Sequence, residues 1–147
     1  MSNASLEPHY DSLMEILFAQ YGDLEALLVL ARRETVAVEL KDFDQILEVV
    51  TERATLGDRL EVYHRQLAEL RTRLGPAYDP LLQMPVVSQS VSLVNAIQVQ
   101  DNHTRPLLIA ARSEAMQQAA RVDQSRRNLG AYARNGQGGS IACDERI

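Results

Sequence analysis

The fold turns on how residues 34–43 are read: Glu34-Thr35-Val36-Ala37-Val38-Glu39-Leu40-Lys41-Asp42-Phe43. Long stretches with helical periodicity lie on both sides, and no strand pattern competes with them. Asp42 has the chemistry to open a new helix, because its carboxylate can accept a bond from an orphan amide of the following first turn. The favoured reading is therefore a tight reversal near Lys41-Asp42. The competing reading is one continuous helix, since neither Gly nor Pro interrupts the chain here.

Upstream, the first helix is expected from about His9 to Leu40. Its apolar residues step by four and three: Tyr10, Met14, Leu17, Tyr21, Leu24, Leu28, Ala31, then Thr35 and Val38, with Leu13, Ile16 and Leu27 widening the stripe. That is the seam of a bundle or coiled-coil helix, and at ~1.5 Å per residue it spans roughly 45 Å. Downstream, a second helix is expected from about Phe43 to Leu74. Its seam reads Ile46, Val49, Arg53, Leu56, Leu60, Tyr63, Leu67, Leu70 and Leu74. Gly75-Pro76 ends it, because Gly suits the C-terminal turn and Pro cannot continue a helix. Helices of matched length predict an antiparallel hairpin.

Residues 76–89 carry Pro76, Pro80 and Pro85, but also Leu81, Leu82, Met84, Val86 and Val87. So apolar a crossover predicts a short helical turn packed on the end of the hairpin. A third helix follows from about Ser88 to Ala133, with a kink or a break near His103–Arg105 caused by Pro106. Leu93, Val94 and Ile97 anchor its first part, and Leu107, Leu108 and Ile109 follow the proline. Beyond them the seam thins to Ala111, Ala115, Met116, Ala119, Val122 and Leu129. Small side chains bury little area, at roughly 25 cal/mol per Å², so this is the least anchored part of the molecule. The expected fold is an all-α, antiparallel, up-down-up bundle of three long helices with a short Pro-rich helical crossover between the second and third. Residues 1–134 form the bundle domain and 135–147 a flexible tail.

Composition agrees. The 147 residues suit one domain, and 46% apolar with 24% charged is ordinary for a folded chain. Few Gly and Pro disfavour turn-rich β architectures. No apolar run reaches the ~18 residues of a membrane span, and no basic-then-apolar leader marks a signal peptide. The lone Cys143 cannot form an internal disulfide, so a reducing cytoplasm is the natural compartment. A net charge of −5 argues against general nucleic-acid binding. Charge is uneven, with thirteen acidic and five basic residues in 1–62 against seven and ten in 63–147.

No catalytic constellation emerges. Glu61-Val62-Tyr63-His64 has the Glu-x-x-His step of di-iron bundles, but the second motif is missing. His103 and His64 are weak candidates for phosphotransfer, with no Gly-rich nucleotide loop nearby. Cys143 sits in the expected tail, where no base can hold it for nucleophilic chemistry. Ser88, Ser90 and Ser92 read as caps and turns, and the carboxylates of the first two helices as a solvated face. Arg53 stands in the seam, where its stem is expected to pack and its head to reach water. Arg121, Arg126, Arg127 and Arg134 make the last helix basic. That suits the helix C-terminus and also an acidic or amphipathic partner helix. No enzyme activity, cofactor or metal is expected.

The arrangement resembles the FlgN family of flagellar export chaperones over about Leu13 to Gly139. The resemblance rests on the two long helices joined at the acidic reversal, on Ile46…Val49…Glu52-Arg53…Leu56, on Asn102 followed by Leu108-Ile109, and on Tyr132-Ala133-Arg134-Asn135-Gly136. Arg53 stands where the family has Lys, Arg105 where it has a second Asn, and Pro106 is unusual at its position. The resemblance implies a cytoplasmic, non-enzymatic chaperone. Such a chaperone binds the C-terminal helical segments of hook-filament junction (hook-associated) proteins, prevents their premature polymerisation and delivers them to the type III export apparatus. It places the partner-binding residues on the third helix: Asn102, Leu107, Leu108, Ile109, Ala111, Ala115, Met116, Ala119, Val122, Leu129 and Tyr132. The alternative is a self-associating structural or adaptor coiled-coil bundle, with the thinly packed third helix as a homodimer surface.

Overall fold

The computed structural model describes residues 7–144, and side chains from 8 to 135. The fold is all-α, built from three long helices: α1 (Glu7–Glu39), α2 (Phe43–Leu74) and α3 (Pro85–Asp144). Two 3-10 turns, Gly75–Ala77 and Asp79–Gln83, make the crossover. The chain divides into two compact units, residues 1–107 and 108–147.

The reversal sits where the sequence places it. Lys41 adopts a left-handed conformation, φ 55°. Its amide donates to the Val38 carbonyl (3.1 Å) and the Asp42 amide reaches back to Ala37 (2.9 Å). This pair of bonds satisfies the last carbonyls of α1 in a Schellman turn, with Lys41 in the position that usually takes Gly. Asp42 then caps α2, its side chain accepting from the Gln45 amide at 3.2 Å. At the far end Gly75, φ 56°, closes α2 by donating to the Arg71 carbonyl.

Three apolar clusters run along the first unit. Near the open end of the hairpin, Leu13 and Leu17 of α1 pack with Leu70 and Leu74 of α2, with Tyr78 from the crossover and with Val86 of α3. Further along, Leu24 and Leu28 meet Ile97, flanked by Leu60 and Leu93. Toward the reversal, Leu30 packs with Val49 and Leu56. Contacts between α1 and α3 advance in the same direction along both helices: Leu13 and Leu17 cluster with Val86, Leu24 and Leu28 with Ile97, and Thr35 meets Gln100 and Thr104. Contacts that advance together mean parallel helices, as an up-down-up bundle requires. The crossover is held by Tyr78, buried, with the Arg71 guanidinium 5.7 Å from its ring centre.

The α2 seam is observed as read: every residue from Ile46 to Leu74 in that list is buried or half-buried. Elsewhere the structure corrects the sequence. Tyr10 and Val94 are exposed rather than seam residues. Pro106 lies inside an unbroken helical stretch, so the break is excluded. Its missing N–H costs the Asn102 carbonyl its helical partner, a loss of about 3 kcal/mol in a helix interior. α3 begins at Pro85, a favoured first-turn residue. Ser88 and Ser92 bond back to the carbonyls of Pro85 and Ser88, while the Ser90 hydroxyl is buried without a partner among the described residues. α3 continues past Asn135, where the sequence places the start of a tail, and Cys143 lies outside the described side chains.

Candidate functional site

Within the first unit a polar layer crosses the seam where the sequence shows only a thinning of apolar residues. The Thr35 and Thr104 hydroxyls lie 2.6 Å apart, and the Gln100 amide donates to Thr35 at 2.6 Å. Thr104 is 2% exposed and also donates to the Gln100 carbonyl. One helical turn away on α3, Asp101 takes both arms of Arg53, at 2.9 and 2.7 Å. Arg53 also donates to Glu34 at 3.2 Å. The guanidinium thus joins α1, α2 and α3 at one level. Hydrogen bonding to Asp101 is the first cause that raises its pKa above the ordinary arginine value; burial opposes it, and the charges of Asp101 and Glu34 add to it. Nearer the middle of α1, Arg59 forms a fork on Asp23, which is 8% exposed.

These pairs correct two expectations. The head of Arg53 is bound by two carboxylates rather than released to water. Glu34 and Asp23 are buried carboxylates held by arginines rather than parts of a solvated face, and Arg59 reaches Asp23 from a largely exposed position. Removing Arg53 would leave Glu34 and Asp101 without their cation, so the Arg53 layer fixes helix register more than it adds net stability.

The candidate partner-binding residues fall into distinct environments. In the first unit, Asn102 is exposed and Leu107 half-buried. In the second unit, Leu108 and Ala115 are half-buried and Ala111 is buried. Met116 is 63% exposed, Val122 48%, Leu129 69% and Tyr132 80%. Every described residue from 116 to 135 is exposed. At ~100° per residue, Leu108, Ala111, Ala115, Ala119, Val122 and Leu129 share one face of α3. Ile109 and Met116 lie about a quarter turn away, lining a shallow depression with Arg112 and Gln117. Tyr132 lies off the stripe on the other side. In the second unit the predicted set is therefore one stripe flanked by Ile109 and Met116 on one side and Tyr132 on the other.

Around the stripe the surface is polar and locally satisfied. Arg127 pairs loosely with Asp123 (3.9 Å), Gln124 bonds Asn128 (3.1 Å), and Arg134 donates to the Gly130 carbonyl. From 108 to 135 there are five arginines against Glu114 and Asp123. His64 and His103 are exposed, and among the described residues no three His, Cys, Asp or Glu side chains gather to hold a metal. No helix among the described residues is long and apolar enough to cross a membrane. The chain matches no family model, no curated protein and no solved structure.

Proposed function

We propose that the protein is a cytoplasmic, non-enzymatic export chaperone of the FlgN type. In this reading it holds the C-terminal helical segments of hook-associated flagellar proteins, keeps them from polymerising and hands them to the type III export apparatus. The supporting observation is the stretch from Met116 to Asn135, twenty residues of helix with no buried side chain. Isolated helices are marginal in water, and most helical stability comes from packing an apolar face. A helix carrying Val122, Leu129 and Ala119 on one side and arginines around it is suited to a partner that supplies larger apolar side chains and acidic flanks. Recognition is then helix against helix. Ordering a weakly anchored segment on binding costs free energy and keeps affinity moderate, which suits a carrier that must release its cargo.

Calorimetric titration with the C-terminal segments of the junction proteins tests the reading. Binding with a Kd of about 1 μM or tighter, lost in Val122→Asp/Leu129→Asp, supports it. A folded sample that binds none of those segments refutes it.

A further inference from the structure

The first unit carries a second apolar stripe that its own fold leaves uncovered. On α1 the residues Phe18, Gly22, Glu25, Val29, Arg33 and Val36 recur at steps of three and four and so share one face, which Leu40, bonded to the Val36 carbonyl just past the helix end, continues. Phe18 is 57% exposed, Val29 55%, Val36 54% and Leu40 73%. This face points away from the seam formed by Leu13, Leu17, Leu24, Leu28 and Ala31. Beside it the α1–α2 groove continues the apolar surface in two depressions that meet at Val29, one reaching Val36 and Leu40 and the other Ala26, Leu30 and Leu56. Arg33 and Glu52 span the groove between them at a loose 3.8 Å.

We infer that this face binds a second copy of the chain, α1 against α1, antiparallel and centred on Val29. The pattern is self-complementary about that residue. Eleven positions out on either side, Leu40 of one copy meets Phe18 of the other. Seven positions out, Val36 meets Gly22. Four positions out, Arg33 meets Glu25. Each meeting occurs twice by symmetry, as an isologous contact requires. Large faces large, a branched side chain faces the residue with none, and plus faces minus.

Gly22 strengthens the assignment. It sits in the interior of α1, where Gly is the poorest helix former after Pro. A Cβ added there would meet nothing within 4 Å, so nothing in its own chain asks for a small residue. A closely approaching second helix does. The parallel pairing fails the same test, because it sets Arg33 against Arg33 and Glu25 against Glu25. The late part of α3 is also a poor self-partner, since five arginines there would face five.

The contact runs from Phe18 to Leu40, roughly 33 Å at 1.5 Å per residue, and a helix is about 10 Å wide. That footprint falls well below the ~800 Å² per partner of a standard interface, even with the groove added. The dimer is therefore weak and reversible, and it uses no residue of the late α3 stripe.

Sedimentation equilibrium of the full chain, from about 1 to 300 μM, tests this, with circular dichroism to establish that each variant is folded. The wild type should move from monomer to dimer. Val29→Glu, which sets two carboxylates face to face, should leave a folded monomer throughout. Glu25→Arg and Arg33→Glu should each weaken association at least tenfold, and the double variant should restore it, which a merely structural effect would not do. Gly22→Leu should weaken the dimer while raising helicity. A wild-type monomer at 300 μM overturns the inference. So does a dimer that survives Val29→Glu, or one lost instead through Leu129→Asp. Protection of the α1 face only when a client segment is added would assign the face to that partner and overturn it as well.

Discussion

Between Leu13 and Thr104 the helices of the first unit meet through residues that cannot be moved singly. Leu13 and Val49 are essentially inaccessible, and Arg53 is held by carboxylates from two other helices. Between Met116 and Asn135 no side chain is buried, and the polar contacts are local, spanning one helical turn. The same chain thus contains a region that specifies itself and a region whose apolar stripe has nothing of its own to cover. The contrast teaches where to look for function. A helix that its own unit does not need for packing is available to a partner, and its substitutions should alter binding without altering stability.

Leu13→Ala should destabilise by about 3 kcal/mol, the transfer and cavity terms of a fully buried leucine, read as a shift of the urea midpoint. Arg53→Ala should also cost about 3 kcal/mol, because Glu34 and Asp101 are left facing each other without a cation. The value belongs at the lower end for buried pairs, since Asp101 keeps 30% of its side chain in water. If Arg53→Ala is as mild as a surface change, the polar layer does not tie the helices and the comparison loses its firmest element. Thr104→Val removes one partner from a buried hydroxyl network and should cost about 1–2 kcal/mol. Asp42→Ala removes the cap of α2 and should cost about 1 kcal/mol. At the far end of the scale, Leu129→Asp should change stability by no more than about 0.5 kcal/mol while weakening client binding at least tenfold. A large stability loss there would mean the late helix is packed after all.

Much of the first unit was legible in the sequence. The α2 seam could be read residue by residue, because Leu, Ile and Val at steps of three and four admit one helix face. Asp42 announced the start of α2. Lys41 was silent, since a lysine in the left-handed position carries no compositional mark; only the geometry of the turn selects it. The polar layer was invisible for a related reason. Thr35, Gln100 and Thr104 interrupt an apolar pattern, and a pattern read for hydrophobicity scores them as gaps. Glu34, Arg53 and Asp101 are far apart in the chain, and ion pairs at such separations follow from register, which periodicity alone does not set. Once α1 and α3 are set parallel, Thr35 comes opposite Thr104. The thin late stripe was legible as Ala115, Ala119, Val122 and Leu129. That Ile109, Met116 and Tyr132 turn away from it follows once the helix phase is known.

The most direct measurement is hydrogen exchange of the full chain at single-residue resolution, with and without the C-terminal segment of a hook-associated protein. Exchange should be slow around Leu13, Val49 and Thr104 in both samples. From Met116 to Tyr132 exchange should be fast in the free chain and slowed at least tenfold when the segment is added. Strong protection of that stretch in the free monomer, or protection on adding the segment that is confined to residues 7–107, would contradict the chaperone reading.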